Sequence, residues 1–331
     1  MKPLDKSRIA IVHTDIGRNP TPDDVDTLIQ AQFIREGLEA CGYNAPLLPF
    51  RPGTLASDLQ KLKAHAIFNL VEAVGGEDER AGEAAFFFEQ MGLPYTGNSA
   101  RTLQALVCKP IVKRQLQRAG LPTPAFAEDG SQGRQWILKS ETFHCSRGID
   151  KRNVSDNLDF LQQLSHEYAA RYSGAWFIEE YIPGREINIA LLDNGTSDPD
   201  VLPASEICFT GQEPHIVDYD SKWNEDSESY NNTTPSVCFA ETDQPLLQEL
   251  AHLSRACWHE FSLGGYARVD FRIDHNNQPF ILEINANPCL SPDAGFMRAA
   301  TQAGLDSSAL IARLISPLLP AQKSQHAQVF G

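Results

Sequence analysis

The 331-residue sequence contains no run of lysines and arginines, and its formal net charge is −15. That balance argues against binding a nucleic-acid backbone, which depends on basic side chains. No apolar stretch approaches the roughly 20 residues that a membrane-spanning helix needs. The opening segment MKPLDKSRIAIVHTD has only a short apolar run from Ile9, so it reads as a first strand and not as a signal peptide. The seven cysteines (Cys41, Cys108, Cys145, Cys208, Cys238, Cys257, Cys289) are odd in number and scattered, with no C-x-x-C pair, which suits a reducing cytoplasm. GxGxxG, GxxxxGK[ST], HExxH and GxSxG are all missing. Dinucleotide-binding, P-loop, zinc-protease and serine-hydrolase readings thereby lose their usual support. No internal repeat or low-complexity segment is visible.

What is present is the composition of a soluble globular protein, 42% hydrophobic and 21% charged, long enough for two or three domains. The first hundred residues alternate strand 8–13, helix 24–41 stopping at Gly42, strand 66–71 and helix 83–91 stopping at Gly92, a βαβ pattern that predicts a parallel sheet. A second unit, of α+β character, opens with a helix from Pro110 to Gly120 and the proline-marked LPTPAF. It continues through strand 135–139, a polar loop to Ile149, helix 157–172, and strands 176–182 and 186–192. A third holds strand 202–209, a long polar stretch, helix 245–261, a hairpin and two terminal helices. The boundaries drawn are 1–105, 106–190, 191–322 and a tail 323–331. The polar stretch TGQEPHIVDYDSKWNEDSESYNNTTP exceeds ordinary loop length, which marks either a lid over a site or partial disorder; Lys222 and Trp223 sit inside it.

The hairpin ARVDFRIDHNNQPFILEINANP, 267–288, carries the sharpest signal. Ala267, Val269, Phe271 and Ile273 alternate with charged residues, and the return strand is read through Phe280, Leu282 and Ile284. An even-length loop centred on Asn276 and Asn277 sets Asp270 opposite Glu283 and Arg268 opposite Asn285. Like charges facing each other across a ladder are destabilising, so a cation belongs between them. Two carboxylates and an amide oxygen suit a hard ion such as Mg²⁺ that shares its shell with water and phosphates. The alternative is a plain solvated face of an amphipathic hairpin.

With FNLVEAVGGEDE, LPYTGNSARTLQALVCKPIVK, GLPTP, ILKSETFHCSRGID, FIEEYIPGREINIALL, YDSKW and RVDF…LEINANP…AGFMRAA in this order, the chain resembles the ATP-grasp superfamily, in its D-alanine–D-alanine ligase-like branch, from about Ala66 to Leu319. The resemblance implies an N-terminal βαβ pre-ATP-grasp domain, a central ATP-grasp lid domain and a C-terminal ATP-grasp domain. It also implies a mechanism in which Mg-ATP phosphorylates a carboxylate and an amine attacks the acyl phosphate. Lys109 and Lys139 can serve as point charges on ATP phosphates. Ser146, Arg147 and Gly148 can turn backbone N–H groups toward phosphate oxygens. By resemblance, Glu179, Glu180, Tyr181 and Ile182 hold adenine and Glu186 the ribose. Asp270, Glu283 and Asn285 bind Mg²⁺, two ions with Mn²⁺ as a substitute, while Arg268 meets the developing oxyanion and Lys222 reaches toward the γ-phosphate. A homodimer would fit the family.

The chain departs from the D-alanine ligases where they hold amino acids. Their glycine-rich motif after the first strand is replaced by HTDIGRNPTPDDVD, in which Asp15, Asp24 or Asp26 could take an ammonium contact. Glu72 stands at their histidine. In NPCLSPDAGF, Cys289 replaces a glycine, Ala294 a serine, and Ser291 lies between them. The ATP machinery is kept and both amino-acid pockets are rebuilt, which points to an amide or peptide ligase with other amino-acid-like substrates. A true D-alanine–D-alanine ligase, or a non-catalytic ATP-binding module, are the competing readings.

Overall fold

The buried runs Ile9–His13 and Ala66–Leu70 are apolar at nearly every position, the mark of strands covered on both faces. In the computed structural model, which describes residues 8–18, 20–130, 135–172 and 174–319, they pair in parallel as β1 and β3, with β2 (Leu47–Pro49) on the far side of β1. Ile34 and Leu38 of helix Pro22–Ala40, with Leu310 and Ile311 of helix Ser307–Ile315, cover one face. Leu55 and Leu59 of helix Pro52–Leu62, with Ala84 and Phe88 of helix Ala81–Met91, cover the other. β2 and helix Pro52–Leu62 were not foreseen in the sequence. Proline in the first helical turn starts the helix here because its missing N–H would have had no partner anyway. The expected tail 323–331 lies outside the described residues.

β4 (Trp136–Ser140), β5 (Val154–Ser155) and β6 (Trp176–Glu180) form a small antiparallel sheet in the order β5-β4-β6, with helix Leu158–Tyr172 packed on it through Leu161, Leu164 and Tyr168. The third sheet contains β7 (Arg185–Leu192), β8 (Asp200–Val201), β9 (Ser205–Phe209), β10 (Thr233–Ser236), β11 (Tyr266–Ile273) and β12 (Pro279–Asn285), in the order β10-β9-β7-β11-β12 with β8 beside β7. β7, drawn in the sequence at the end of the 106–190 unit, thus belongs to the large sheet, paired with β9 and β11. Helix Lys109–Arg118 likewise sends Val112 and Leu116 into the core of that sheet, against Ile187 and Ile189. The change of sheet occurs at Gly184, whose φ of 135° belongs to glycine and where a Cβ would strike the Ile273 carbonyl. Among the described residues no helix is long and apolar enough to cross a membrane.

The polar stretch from Thr210 folds over the other face of the large sheet, the one that carries Glu186 and Asn188. It contains two short helices, Tyr219–Trp223 and Glu228–Asn231, and then β10, which pairs antiparallel with β9.

One buried ion-pair cluster ties the large-sheet unit to the small one. Lys113, on helix Lys109–Arg118, lies 2.7 Å from Glu179 of β6, and Lys139 of β4 lies 2.8 Å from the other oxygen. Burial pushes the Lys113 ammonium down to about 8, with Glu179 opposing. Burial works against the Glu179 charge too, but the two lysines hold its carboxyl below the usual range. Lys113→Met leaves Glu179 buried with a single partner, so it should destabilise the fold by about 3 kcal/mol in urea unfolding at pH 7. A loss under about 1 kcal/mol would mean that Lys139 alone compensates the charge.

Candidate active site

A cleft of about 630 Å³ opens where the small sheet, the large sheet and the 210–235 stretch meet. Its floor is the hairpin. Arg268 pairs with Asn285, Val269 with Ile284 and Asp270 with Glu283, and then the register slips, so that Phe271 faces Ile281 and Arg272 faces Phe280. The turn is therefore not the even loop read from the sequence: Asn277 takes a positive φ of 59°, and Asp274 accepts the Asn276 and Gln278 amides at 2.8 Å each. A β-bulge at Leu282 restores the register that puts the carboxylates face to face. It also changes which residues are buried. Ile281 and Ile284 enter the core, whereas Leu282 lines the cleft beside Glu283.

Arg268 grips Asp270 with two hydrogen bonds, Nε to Oδ1 at 2.7 Å and Nη2 to Oδ2 at 2.8 Å, and Asn188 Nδ2 donates to the same Oδ1 at 2.7 Å. Glu283 lies 3.6 Å from Lys109 Nζ and 3.4 Å from His144 Nδ1. Burial raises its proton affinity, but Lys109 and then His144 outweigh this and hold the carboxyl well below its ordinary value. Asn285 Oδ1 accepts the Asn287 amide at 3.0 Å.

At one end of the cleft β6 runs into Tyr181 and Ile182, both buried. The backbone there is held by Glu180 N to Ala125 O at 2.8 Å and Tyr181 N to Gln135 O at 2.9 Å. Glu179 and Glu180 line the cleft, although the Glu179 carboxylate is committed to Lys113 and Lys139. Arg272 donates to the Ile182 carbonyl at 2.9 Å and lies 3.4 Å from Glu186, whose proton affinity is raised by burial and lowered in part by Arg272.

Above the floor runs the loop after β4. Cys145 (φ 56°) and Ser146 (φ 59°) are consecutive left-handed residues, and Gly148 (φ 74°) sits so close to Trp176 that a Cβ would come within 2.7 Å of its ring. Lys109 Nζ donates to the Phe143 carbonyl at 2.7 Å and Ser146 Oγ to the Val217 carbonyl at 2.7 Å, so the loop touches both the hairpin side and the 210–235 stretch. Lys222 lines the cleft from helix Tyr219–Trp223. Tyr181 Oη donates to Glu213 at 2.8 Å and Tyr219 Oη to Asp23 at 3.0 Å, anchoring that stretch at both flanks. Arg147 lies 3.5 Å from Asp23 and 3.8 Å from Asp78, joining the loop to the N-terminal unit.

The sequence left three aspartates open for an ammonium contact, and the structure separates them. Asp15 is paired with Arg51 at 2.8 Å, Asp24 accepts the Thr21 amide at 2.9 Å, and only Asp26 faces the rebuilt C-terminal motif. Asp26 accepts from Ser291 Oγ at 2.7 Å and from Cys289 Sγ at 3.2 Å. Ala294 caps helix Gly295–Gln302 without a side-chain bond. Glu72 accepts from Gln30 Nε2 at 3.1 Å, and the Gln30 oxygen accepts the Leu290 amide at 2.7 Å. Among the described residues no lysine or arginine forms an ion pair with Glu72 or Asp26. Glu72, Cys289, Ser291 and Ala294 therefore gather beside Asp26, next to the main cleft. Lys113, Asp23, Asp78, Asn188 and Arg272 were missed in the sequence. Nothing local distinguishes them from surface charges, and only their long-range partners give them away.

Burial, reinforced by Asp26, pushes the Glu72 carboxyl up from 4.5 to about 7. Because the folded value is raised, the neutral form is the one the fold favours. Stability from this group is full below about pH 4.5 and is lost as pH rises toward 7. Glu72→Gln should match wild type in thermal unfolding at pH 4.5 and exceed it by on the order of 2 kcal/mol above pH 7. An equal gain at both pH values would show that the carboxylate is not the strained group.

Comparison with known proteins places this geometry. Residues 137–316, more than half of the chain, match the family model described as D-ala D-ala ligase C-terminus. An uncharacterized protein, y4sG of Sinorhizobium fredii, is 29% identical over 293 residues, covering 85% of this chain and 84% of that protein. A D-alanine–D-alanine ligase of Dichelobacter nodosus is 25% identical over 324 residues, covering 96% and 98%. The crystal structure of the Bacillus anthracis D-alanine–D-alanine ligase complexed with ATP superposes with a TM-score of 0.72 over 94% of this chain and 97% of that one, at 18% identity. The chain has the ATP-grasp fold and belongs to the D-alanine–D-alanine ligase family defined by that C-terminal domain.

Proposed function

We propose that the protein is an ATP-dependent carboxylate–amine ligase that forms an amide or peptide bond through an acyl phosphate, releasing ADP and phosphate. The observation that carries this reading is the hairpin floor: Asp270 and Glu283 face each other in one cleft with Arg268, Lys109, Lys139 and Lys222 around them. Among the described residues no three His, Cys, Asp or Glu side chains could hold a metal by themselves. Two carboxylates with the Asn285 amide oxygen instead fit a hard cation that completes its shell with water and phosphate oxygens, as Mg²⁺ does and Mn²⁺ can. When bound there, such ions would neutralise charge on the β- and γ-phosphates.

The protein's own residues would divide the remaining work. Tyr181 and Ile182 line the end of the cleft assigned to adenine, with Glu186 at the ribose. Lys109 and Lys139 stand as phosphate cations, the loop through Ser146 and Gly148 aims backbone N–H groups at phosphate oxygens, and Lys222 comes from above. Arg268, whose charge is fixed by its fork with Asp270, would meet the oxyanion formed as the amine attacks the acyl phosphate, the kind of prepositioned charge that dominates acyl-transfer catalysis. We place this chemistry in the cytoplasm, where Mg-ATP is available.

Two of the relatives compared above are D-alanine–D-alanine ligases, so D-alanine is the runner-up for both substrates. The structure around Glu72 favours other substrates. Among the described residues neither Glu72 nor Asp26 forms an ion pair with a lysine or arginine, and Ala294 offers no hydroxyl at the helix start, so a substrate with an additional ammonium or hydroxyl suits them better.

Phosphate release from Mg-ATP should be measured against amino acids and diamino acids, singly and in pairs, with mass spectrometry of the products. The account expects an amide product whose formation falls at least about a thousandfold in Glu283→Gln, near 4 kcal/mol of barrier, with the circular dichroism spectrum unchanged. Near wild-type turnover in that variant would remove the metal assignment. Joining of two D-alanines at roughly 10⁴ M⁻¹s⁻¹ or more would make the runner-up correct.

A further inference from the structure

The registers of three strand pairs line up one row of side chains across the large sheet. Glu283 of β12 faces Asp270 of β11, Asp270 faces Asn188 of β7, and Asn188 faces Ser205 of β9. All four line the cleft. Glu186, two residues before Asn188 on the same face of β7, also lines it, and it pairs across β9 with Ile207. Asn188 therefore stands beside Asp270 and, two residues along its own strand, beside Glu186, and Ser205 lies on the side of Asn188 away from Asp270.

The two neutral residues are not equally satisfied. Asn188 spends its Nδ2 on Asp270, and its Oδ1 accepts from no donor among the described residues. Ser205 is 2% exposed, and its hydroxyl has no hydrogen-bond partner among the described residues. A buried hydroxyl left unpaired is costly, because its bonds to water are given up without replacement. Nothing in the packing of β9 requires a hydroxyl there. Alanine or valine would fill a strand position beside Ile207 without that cost.

We propose that Asn188 and Ser205 form a neutral hydrogen-bonding subsite for the sugar-to-α-phosphate stretch of the nucleotide, and that Asn188 is in addition the positioning residue that orients the Asp270 carboxylate. This rests on the nucleotide reading of the cleft. A neutral pair suits that place. Lys109 stands at the Glu283 end of the row, where the phosphate charge would accumulate, and Glu186, with Arg272 beside it, supplies the acceptor on the sugar side. A hydroxyl and an amide oxygen in the adjoining floor can follow a ligand that carries both donors and acceptors without adding charge next to Asp270.

Calorimetry on the full chain, with Mg-ADP and with the Mg complex of the non-hydrolysable β,γ-imido analogue of ATP, tests the assignment. Wild-type binding comes first: if neither nucleotide binds, the nucleotide reading fails and the subsite with it. Given wild-type binding, Ser205→Ala is expected to raise Kd about fivefold or more for both nucleotides alike, the worth of one hydrogen bond, while the melting temperature of the free protein stays level or rises. Asn188→Ala is expected to weaken Mn²⁺ in the nucleotide complex about tenfold, read by the electron paramagnetic resonance of the free ion. Unchanged Kd values in Ser205→Ala would overturn the subsite while leaving the nucleotide reading intact. So would a loss confined to the imido analogue, since that places the contact at the γ-phosphate, or a fall in the melting temperature of the free Ser205→Ala protein, which would assign the hydroxyl to the fold. Unchanged Mn²⁺ affinity in Asn188→Ala would remove its positioning role.

Discussion

Two carboxylates held face to face on adjacent strands are the constraint around which the rest of the cleft is arranged. Asp270 and Glu283 would repel each other in any register that paired them, and an ordinary hairpin would avoid the pairing by a slip of one residue. Here the bulge at Leu282 enforces it. The surrounding side chains then serve two ends at once. Arg268 and Asn188 hold Asp270, Lys109 and His144 hold Glu283, and under the proposed nucleotide reading Arg268 and Lys109 stand where a polyphosphate would need them.

Each unit contributes a different part of the site, and charge pairs set the parts against one another. The large sheet supplies the floor, and the small sheet supplies the end of the cleft at Tyr181 and Ile182 and the left-handed loop at Cys145 and Ser146. The N-terminal sheet brings Glu72 and Asp26 to the edge where Cys289 and Ser291 arrive from the far end of the chain. Lys113 with Glu179 fixes the small sheet to the large one, and Arg147 with Asp23 and Asp78 fixes its loop to the N-terminal unit. Asp23 meets both Tyr219 of the 210–235 stretch and Arg147 of the loop beneath it, so one side chain of the N-terminal unit joins the two.

Much of this was legible in the sequence where the signal is local. The βαβ start and the alternation of β11 follow from period and spacing, the combined motifs point to the family, and the opposition of Asp270 to Glu283 was read correctly from a loop that the bulge at Leu282 replaces. The hairpin was right at its site end and wrong at its turn. The Asn276-Asn277 pair reads as the centre of an even-length loop, and nothing local marks a bulge that makes Leu282 face the cleft and Ile281 the core. The boundary at 190 misplaced β7 because a strand's sheet is decided by its partners, here β9 and β11, and not by its neighbours in sequence. Lys113 shows the same limit: an ordinary lysine on an amphipathic helix becomes a buried cation only because Glu179, more than sixty residues on, is folded against it.

The central claim is that this constellation activates a carboxylate by phosphorylation. It is tested most directly by following oxygen: with a substrate whose carboxylate carries ¹⁸O, one labelled oxygen should appear in the inorganic phosphate released with ADP. Label in AMP, accompanied by pyrophosphate, would instead mean adenylation, and the acyl-phosphate account would be wrong.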